Sequence, residues 1–260
     1  MAKHKALKKT NKKVYIYRNR DFFKESKMKK KPMILLLAFI MLLALLFATY
    51  KLMNARTFQV IGTLINKVET EEKVVALTFD DGPTEHTDEI LSTLKKYDIK
   101  ATFFLIGNEI EKNSEEAKKI MEAGHQIGNH TFSHERMIFK TPSFVKEELE
   151  KTNQFIREIG YEGEIDFRPP NGKKLIVTPY YVNKMGMDTI TWNLEPDTYY
   201  TEPEDKINYV KDNVEEGSII LFHPMYDETG KELKAIEGTI KELVKDGYKF
   251  VTVSELKQMR

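Results

Sequence analysis

The sequence predicts an α/β protein whose main body is an incomplete seven-stranded (β/α) barrel, preceded by a single transmembrane helix. Three observations predict this architecture. Residues 32–50 form an uninterrupted apolar run near the N-terminus. From Val74 onward, strand-like runs alternate with helix-like stretches that end at glycines, which is typical of parallel βαβ units. Polar residues follow several of these strands, as on the loop-bearing face of a barrel. An open doubly wound sheet is the alternative.

The composition narrows the classes of protein to consider. The chain has 260 residues, enough for one sizeable domain, and no cysteine, which excludes disulfides, thiolate metal ligands and cysteine nucleophiles. The net charge of +1 conceals an asymmetry. Residues 1–31 contain 13 lysines and arginines against two acidic residues, whereas the remainder has 28 basic and 38 acidic side chains. The acidic body gives no sign of nucleic-acid binding.

The apolar run Pro32–Tyr50 contains no charged residue. As a helix it would be about 28 Å long, close to the roughly 30 Å hydrocarbon core of a bilayer. Lys29–Lys31 directly precede it, so the positive-inside rule predicts a cytoplasmic N-terminus and an extracellular body. A cleaved signal peptide is the alternative, but the run is longer than a typical signal-peptide core and no clear cleavage site follows it. We therefore predict an uncleaved anchor in the cell membrane. The basic tail is explained more simply by this topology and by anionic lipids than by nucleic acid.

These patterns divide the chain into four regions. They are a basic cytoplasmic tail (residues 1–31), a transmembrane signal anchor (32–53), a short stem with N-terminal strands (54–73) and the main domain (74–260). In the stem, Phe58–Ile61 and Leu64–Val68 are predicted as short strands. The stem is too short to span a cell wall, so we expect the body to lie close to the membrane surface.

The main domain is predicted to contain seven strands and six helices. The strands are Val74–Phe79, Ala101–Gly107, His125–His130, Asp166–Arg168, Asp188–Asn193, Ser218–His223 and Lys249–Val253. The helices are a stretch after Thr87 that shares Ile90, Leu91, Leu94 and Tyr97 on one face, then Ser114–Ala123, Pro142–Ile159, Pro179–Met185, Pro203–Glu216 and Lys231–Asp246. The last five are each followed by a glycine, the residue preferred just after a helix.

The first strand leads directly into two adjacent carboxylates, Asp80 and Asp81, followed by Gly82 and Pro83. Two acids at the end of a buried strand are costly, because each loses hydration and they repel each other. They could simply cap a local turn. The other strand ends favour a functional site instead.

Histidines follow two other predicted strands. His130 and His134 are four residues apart and could bind one metal ion if the segment turns helically. With Asp81 they make a two-histidine, one-carboxylate set that leaves positions open for water. Asp80 then stays unligated beside that water, where a general base is needed. His223 is placed to donate a proton, although a single histidine at a strand end is more often structural.

These motifs resemble those of polysaccharide deacetylases of carbohydrate esterase family four, the NodB-homology type. The matching segments are Thr78–Pro83 (TFDDGP), His130–His134 (HTFSH), Arg168–Gly172 (RPPNG) and Leu221–His223 (LFH). The first two together are highly specific, and the resemblance covers about Phe58–Leu256. It implies a distorted seven-stranded barrel in residues 74–260 and metal-dependent, hydrolytic removal of acetyl groups from N-acetylated sugars.

The resemblance also implies which residues perform the chemistry. Asp81, His130 and His134 would hold one divalent metal ion, usually Zn²⁺ in such enzymes, with Co²⁺ or Mn²⁺ as alternatives. Asp80 would be the general base, held ionised and oriented by Arg168.

His223 would protonate the departing amine. The family's fourth motif usually has an Asp–Trp pair that tunes this histidine, and here Glu195 or Asp197 could serve without the following tryptophan. We choose Asp197, although both residues could simply begin a loop. Three residues are expected to contact the substrate: Asn171, whose backbone N–H would stabilise the oxyanion, Leu221, which would line the pocket for the acetyl methyl group, and Trp192. The third motif often has an aromatic residue at the position of Asn171.

The implied partner is an extracellular N-acetylated polysaccharide. Peptidoglycan, through N-acetylglucosamine or N-acetylmuramic acid, is the first expectation, and chitin-like oligomers are related substrates. The motifs do not separate amide from ester, so an O-acetyl polysaccharide esterase stays open. A non-catalytic wall-binding module is the third reading, and the complete catalytic set argues against it.

Overall fold

A computed structural model describes the backbone of residues 7–259 and the side chains of residues 30–259. The chain divides into two units, Met1–Lys51 and Leu52–Arg260. The first helix, α1, is Leu7–Met53. Its segment Lys30–Met53 contains an 18-residue window with a mean hydropathy of 2.7, none of which is buried inside the protein. By length and composition this segment can cross a membrane. A signal sequence near the N-terminus can have the same length and composition. The predicted basic tail lies largely outside the described side chains.

The second unit alternates strands and helices. The strands are β1 (Leu64–Ile65), β2 (Val74–Asp80), β3 (Thr102–Leu105), β4 (Gln126–Asn129), β5 (Thr189–Ile190), β6 (Ser218–Phe222) and β7 (Lys249–Val251). The helices are α2 (Thr87–Lys96), α3 (Gly107–Lys112), α4 (Ser114–Glu122), α5 (Pro142–Glu158), α6 (Val177–Lys184), α7 (Pro203–Asn213), α8 (Lys231–Lys245) and α9 (Val253–Lys257). This confirms the predicted α/β class.

Every pairing between the named strands in the described chain is parallel. One sheet runs in the order β4–β3–β2–β6, with β7 also paired to β2, and β1 pairs with β5. Isolated parallel β-bridges connect these strands further. Phe167 pairs with both Asn129 and Thr189, and Leu194 pairs with Ile220. The strands therefore follow one another around a ring in which two connections are only one residue long. This is the distorted barrel that the sequence predicts.

Two predicted strands are wrong. Phe58–Ile61 is irregular, and Asp166–Arg168 is present only as the bridges of Phe167. The second case has a clear cause, because Pro169 and Pro170 follow directly and neither has an N–H to extend a ladder. The short helices α3 and α9 were not predicted.

The core of the unit is built around β2, in which all seven residues are buried. Its apolar residues contribute to both hydrophobic clusters of the domain, with Phe79 packing on Phe103 at 5.0 Å between ring centroids. A strand covered on both faces matches the prediction from its small and β-branched composition. It also carries Asp80 at its end, which fixes that carboxylate in a rigid setting.

Candidate metal centre and active site

The carboxyl ends of the strands meet around a cavity of about 320 Å³. The residues that line it are Arg56, Asp80, Asp81, His130, His134, Asn171, Lys173, Trp192, Glu195 and His223. Parallel strands place their carboxyl ends on one side of a barrel, so side chains distant in sequence converge there. The cavity thus brings together seven of the ten residues that the sequence singled out.

Asp80 and Arg168 form a buried ion pair beside the cavity. Arg168 Nη1 donates to Asp80 Oδ1 at 2.7 Å and to Thr78 Oγ1 at 2.9 Å. The guanidinium also stacks over Phe104, 4.1 Å from the ring centroid. Burial alone would raise the pKa of Asp80, but the charges of Arg168 and of the nearby histidines outweigh it and lower this pKa. Asp80 is therefore ionised at neutral pH.

Asp81, His130 and His134 converge at the same end of the cavity. Their ligand atoms all lie within 4.8 Å of one another. Asp81 Oδ1 is 3.3 Å from His134 Nε2 and 3.8 Å from His130 Nε2. The spacing of His130 and His134 predicts a shared metal only if the segment between them is helical. The segment His130–His134 (HTFSH) is not helical. Instead, Thr131 and His134 adopt φ values of 65° and 58°, in the left-handed region, and turn both rings to one side.

The protonation state and bonding of these residues fit a divalent metal ion. His130 Nδ1 is 2.7 Å from the carbonyl oxygen of Arg168, so it is the nitrogen that carries the proton. Burial lowers the pKa of His130, which leaves the ring neutral with a lone pair on Nε2. Asp81 Oδ1 is buried and accepts no hydrogen bond within the described residues. An orphaned carboxylate oxygen facing imidazole nitrogens is a site for a cation.

A second group of carboxylates, Glu164, Asp166 and Asp188, also lies close together. Here Lys257 Nζ already donates to all three, at 2.7, 2.7 and 3.1 Å. This ammonium group already occupies the place between the three carboxylates that a cation would take, so of the two clusters among the described residues the first is the one that fits a metal.

His223 lies at the end of β6 and faces the cavity. Its Nδ1 is 3.0 Å from Asp197 Oδ2, and its backbone N–H donates to the same oxygen at 3.1 Å. Burial lowers the pKa of His223, but the bond to Asp197 and the charges of Asp80 and Asp81 outweigh it and raise this pKa to about 9. The structure thus places Asp197, and not Glu195, against the histidine.

The other predicted contacts are divided between the cavity and the core. Asn171 has a φ of 54°, and its backbone N–H makes no hydrogen bond within the described residues, while its side chain accepts from Arg136. Trp192 is 3% exposed and lines the cavity. Leu221 is fully buried beneath it and is not a lining residue.

Two lining residues were missed by the sequence reasoning. Arg56 stacks on Trp192, 4.5 Å from the ring, and pairs with Glu195 at 3.0 Å. Lys173 bonds to the side chain of Asn54. The stem after α1 is therefore part of the cavity wall. A single arginine in a stem belongs to no motif, so the sequence carried no signal for it.

Together, the fold and the site define a class: a parallel α/β barrel whose cavity contains an Asp–His–His cation site, an ionised carboxylate and a carboxylate-paired histidine. Comparison with known proteins specifies it further. The polysaccharide deacetylase family model matches residues 67–190. The chain belongs to the polysaccharide deacetylase family, as the sequence motifs predict.

The matching relatives include cell-wall enzymes. The peptidoglycan-N-acetylglucosamine deacetylase of Bacillus cereus is 32% identical over 199 residues, which are 75% of this chain and 93% of that protein. The peptidoglycan-N-acetylmuramic acid deacetylase PdaC of Bacillus subtilis is 32% identical over 196 residues, 74% of this chain but only 40% of that protein. The chain thus spans nearly the whole of one relative and less than half of the other.

The matching solved structures include both active and inactive relatives. A peptidoglycan N-acetylglucosamine deacetylase in complex with an N-hydroxybenzamide compound superposes with a TM-score of 0.70 at 30% identity, over 75% of this chain and 92% of that one. A Bacillus anthracis family-four pseudoenzyme superposes with a TM-score of 0.68 at 30% identity, over 75% of this chain and 69% of that one. Membership of the family therefore does not by itself establish catalysis, and the residues of the site must decide.

Proposed function

We propose that this chain is a membrane-anchored, metal-dependent N-deacetylase of peptidoglycan, acting on its N-acetylglucosamine or N-acetylmuramic acid units. The observation that carries the proposal is one cavity that is lined by Asp80, by His223 and by the cation site of Asp81, His130 and His134. The relatives named for these two sugars support the polymer and do not choose between its units.

The reaction adds water to the acetamide carbonyl and breaks the C–N bond, giving acetate and a free amine. A divalent metal, Zn²⁺ in the first instance and otherwise Co²⁺ or Mn²⁺, would be held by Asp81, His130 and His134 and would supply Lewis-acid polarisation of the carbonyl. Asp80 accepts a proton from the attacking water. Arg168 keeps Asp80 ionised and oriented through the 2.7 Å bond.

The developing negative charge on the carbonyl oxygen needs a donor. The backbone N–H of Asn171 is available, because no group in the described part of the chain accepts from it and the residue lines the cavity. His223, protonated at neutral pH, gives its proton to the departing nitrogen, and Asp197 holds the imidazole by Nδ1 so that Nε2 is the acid. Trp192 forms the wall beside the sugar. For Leu221, a contact with the acetyl methyl group stays a prediction.

The domain boundaries and the localisation belong to the same proposal. Residues 32–53 would anchor the chain in the cell membrane, with residues 1–31 in the cytoplasm and the stem (54–73) and deacetylase domain (74–260) outside. The apolar segment Lys30–Met53 supports the anchor by length and composition.

Acetate release by the purified full-length chain in detergent tests the proposal. Peptidoglycan and N-acetylated chito-oligomers serve as substrates, and O-acetylated xylan tests the esterase alternative. We expect release from peptidoglycan that a chelator stops and that Zn²⁺, Co²⁺ or Mn²⁺ restores. The Glu69→Gln variant, altered at an exposed stem position, is the control and should match the wild type. No release with metal still bound would overturn the deacetylase, and release from xylan alone would favour the esterase.

A further inference from the structure

A row of alternating charges extends from His223 away from the cavity. Asp197 Oδ2 is 3.0 Å from His223 Nδ1, and Asp197 Oδ1 accepts from Lys206 Nζ at 2.9 Å. Lys206 Nζ also donates to Glu232 Oε1. The row therefore reads imidazole, carboxylate, ammonium, carboxylate. Lys206 belongs to α7 and Glu232 to α8, so two helices outside the cavity reach the histidine through one aspartate.

Three members of the row are largely buried, whereas the side chain of His223, which lines the cavity, is 36% exposed. The side chain of Lys206 is 3% exposed, and those of Asp197 and Glu232 are each 16% exposed. A buried ammonium loses its hydration, which is unfavourable unless it is paired, so Lys206 is held between its two carboxylates. The second oxygen of Glu232, Oε2, is buried and accepts no hydrogen bond within the described residues. Burial and the charge of the neighbouring Asp197 raise the pKa of Glu232, and the bond to Lys206 opposes this rise.

We propose that Lys206 and Glu232 are positioning residues for the general acid, which act through Asp197 to fix the orientation and the charge of the His223 imidazole. Lys206 occupies one oxygen of Asp197, so the other oxygen has to point at Nδ1. Glu232 offsets the charge of Lys206, so that the lysine does not repel the protonated ring. The inference rests on the proposed role of His223 as the acid.

A second ion pair, between Lys211 and Glu242, joins the same two helices at the surface and serves as a structural comparison. Lys211 Nζ of α7 is 2.5 Å from Glu242 Oε2 of α8, with side chains 39% and 29% exposed. This pair joins the helices at the surface and touches neither Asp197 nor His223. It supplies a matched control, because its removal breaks a contact between α7 and α8 without altering the row.

The charges in the row lead to opposite expectations for its two outer members. With His223 protonated, the four groups sum to zero. Removing the positive charge of Lys206 leaves the row negative and favours the protonated ring, whereas removing the negative charge of Glu232 leaves it positive and disfavours that ring. Because Lys206, Asp197 and Glu232 are largely buried, water screens these effects less than it would at an open surface.

Other charges that face these groups stay constant in the test. His223 is also influenced by Asp80 and Asp81, and Lys206 by Asp227. Burial raises the pKa of Asp197, but its bonds to His223 and Lys206 outweigh this and lower it, in agreement with an ionised carboxylate in the row.

The test measures the pKa of His223 by NMR of ¹⁵N-histidine-labelled full chain in detergent micelles, with the resonance assigned by the His223→Gln variant. We expect Lys206→Met to raise this pKa and Glu232→Gln to lower it, each by about 0.5–1 unit. The double variant should return close to the wild type, since it restores the zero sum. If Lys206→Met does not fold, the shift in Glu232→Gln alone still decides.

The controls are Lys211→Met and Glu242→Gln, which should leave the pKa of His223 unchanged. Equal shifts in the control variants, shifts of the same sign in both row variants, or no shift at all would overturn the proposal. The titration requires no turnover, so it separates this inference from the proposed function. If the chain is active, the basic limb of its pH profile should move in the same directions.

Discussion

At the scale of single residues, the site depends on a carboxylate, Asp80, whose charge is stabilised mainly by Arg168 and also by nearby histidines. Arg168 is fully buried, and Asp80 is the only carboxylate bonded to it among the described residues. A buried ion pair is weak evidence for stability, because both groups lose hydration. Under the proposed mechanism, this pair keeps the base charged, which is a role in catalysis rather than in folding.

Replacing Asp80 with Asn tests this role. The amide keeps the shape and can still accept from Arg168, but it cannot take a proton. We expect kcat to fall by about 10²- to 10⁴-fold, while Zn²⁺ binding, measured by calorimetry, changes little because Asp81 is untouched. Asp81→Asn is the matched variant and should lose the metal. Full activity in Asp80→Asn would remove it as the base.

The pH dependence follows from two residues with opposite shifts. The pKa of Asp80 is lowered, so the base is ionised across the neutral range and is lost only on acidification. The pKa of His223 is about 9, so the acid is protonated at neutral pH and is lost as the pH rises through that region. A bound cation would lower this value.

We therefore expect a bell-shaped profile of kcat/KM, measured with the metal-loaded chain. Asp197→Asn should move the basic limb to lower pH, because the anion that stabilises the imidazolium is removed. Glu195→Gln is the control and should leave that limb in place, since Glu195 bonds to Trp192 and Arg56 instead. An unmoved limb in Asp197→Asn would assign the tuning role elsewhere.

At the scale of elements, the strands that are long and apolar were predictable, and the single-residue connections were not. The strand Val74–Asp80 can be predicted from its composition, a run of apolar and β-branched residues. Phe167 instead completes the ring through one residue, with prolines following, and no periodicity of two can be seen in so short a segment.

The site shows the same division between local and long-range information. The candidate metal ligands belong to short sequence motifs, so Asp81, His130 and His134 could be found from the sequence. Arg56 and Lys206 act through partners distant in the chain, at Trp192 and Asp197. Neither of these two contacts can be predicted from the residues next to it in the sequence, because each depends on the fold.

The stem gives a prediction at this scale. Arg56 supports the Trp192 wall from a segment that the motifs do not include, and its partial exposure limits the stacking energy to about 0.5–1 kcal/mol. We expect Arg56→Ala to raise KM by about 2- to 5-fold with a smaller effect on kcat, measured by acetate release. Lys234→Ala, an exposed change on α8, should leave both constants unchanged. A loss confined to kcat would instead place Arg56 in the chemistry.

At the scale of the whole molecule, the charge asymmetry is the feature that a description of the domain alone leaves unexplained. A basic segment precedes the apolar run, and an acidic body follows it. If the run spans the membrane, the positive-inside rule puts these parts on opposite sides. A deacetylase of an external polymer needs that arrangement, so the topology is a consequence of the proposed function that can be measured independently.

The absence of cysteine makes this measurement free of background, because a membrane-impermeant maleimide can label only an introduced residue. We expect Glu69→Cys to be labelled on intact cells, since its side chain is 93% exposed, and Lys5→Cys to be labelled only after lysis. Both variants should stay in the membrane fraction after alkaline extraction. Release of the Glu69→Cys protein into the medium at reduced mass would instead establish a cleaved signal peptide. Labelling of Lys5→Cys on intact cells would reverse the orientation and contradict an external deacetylase.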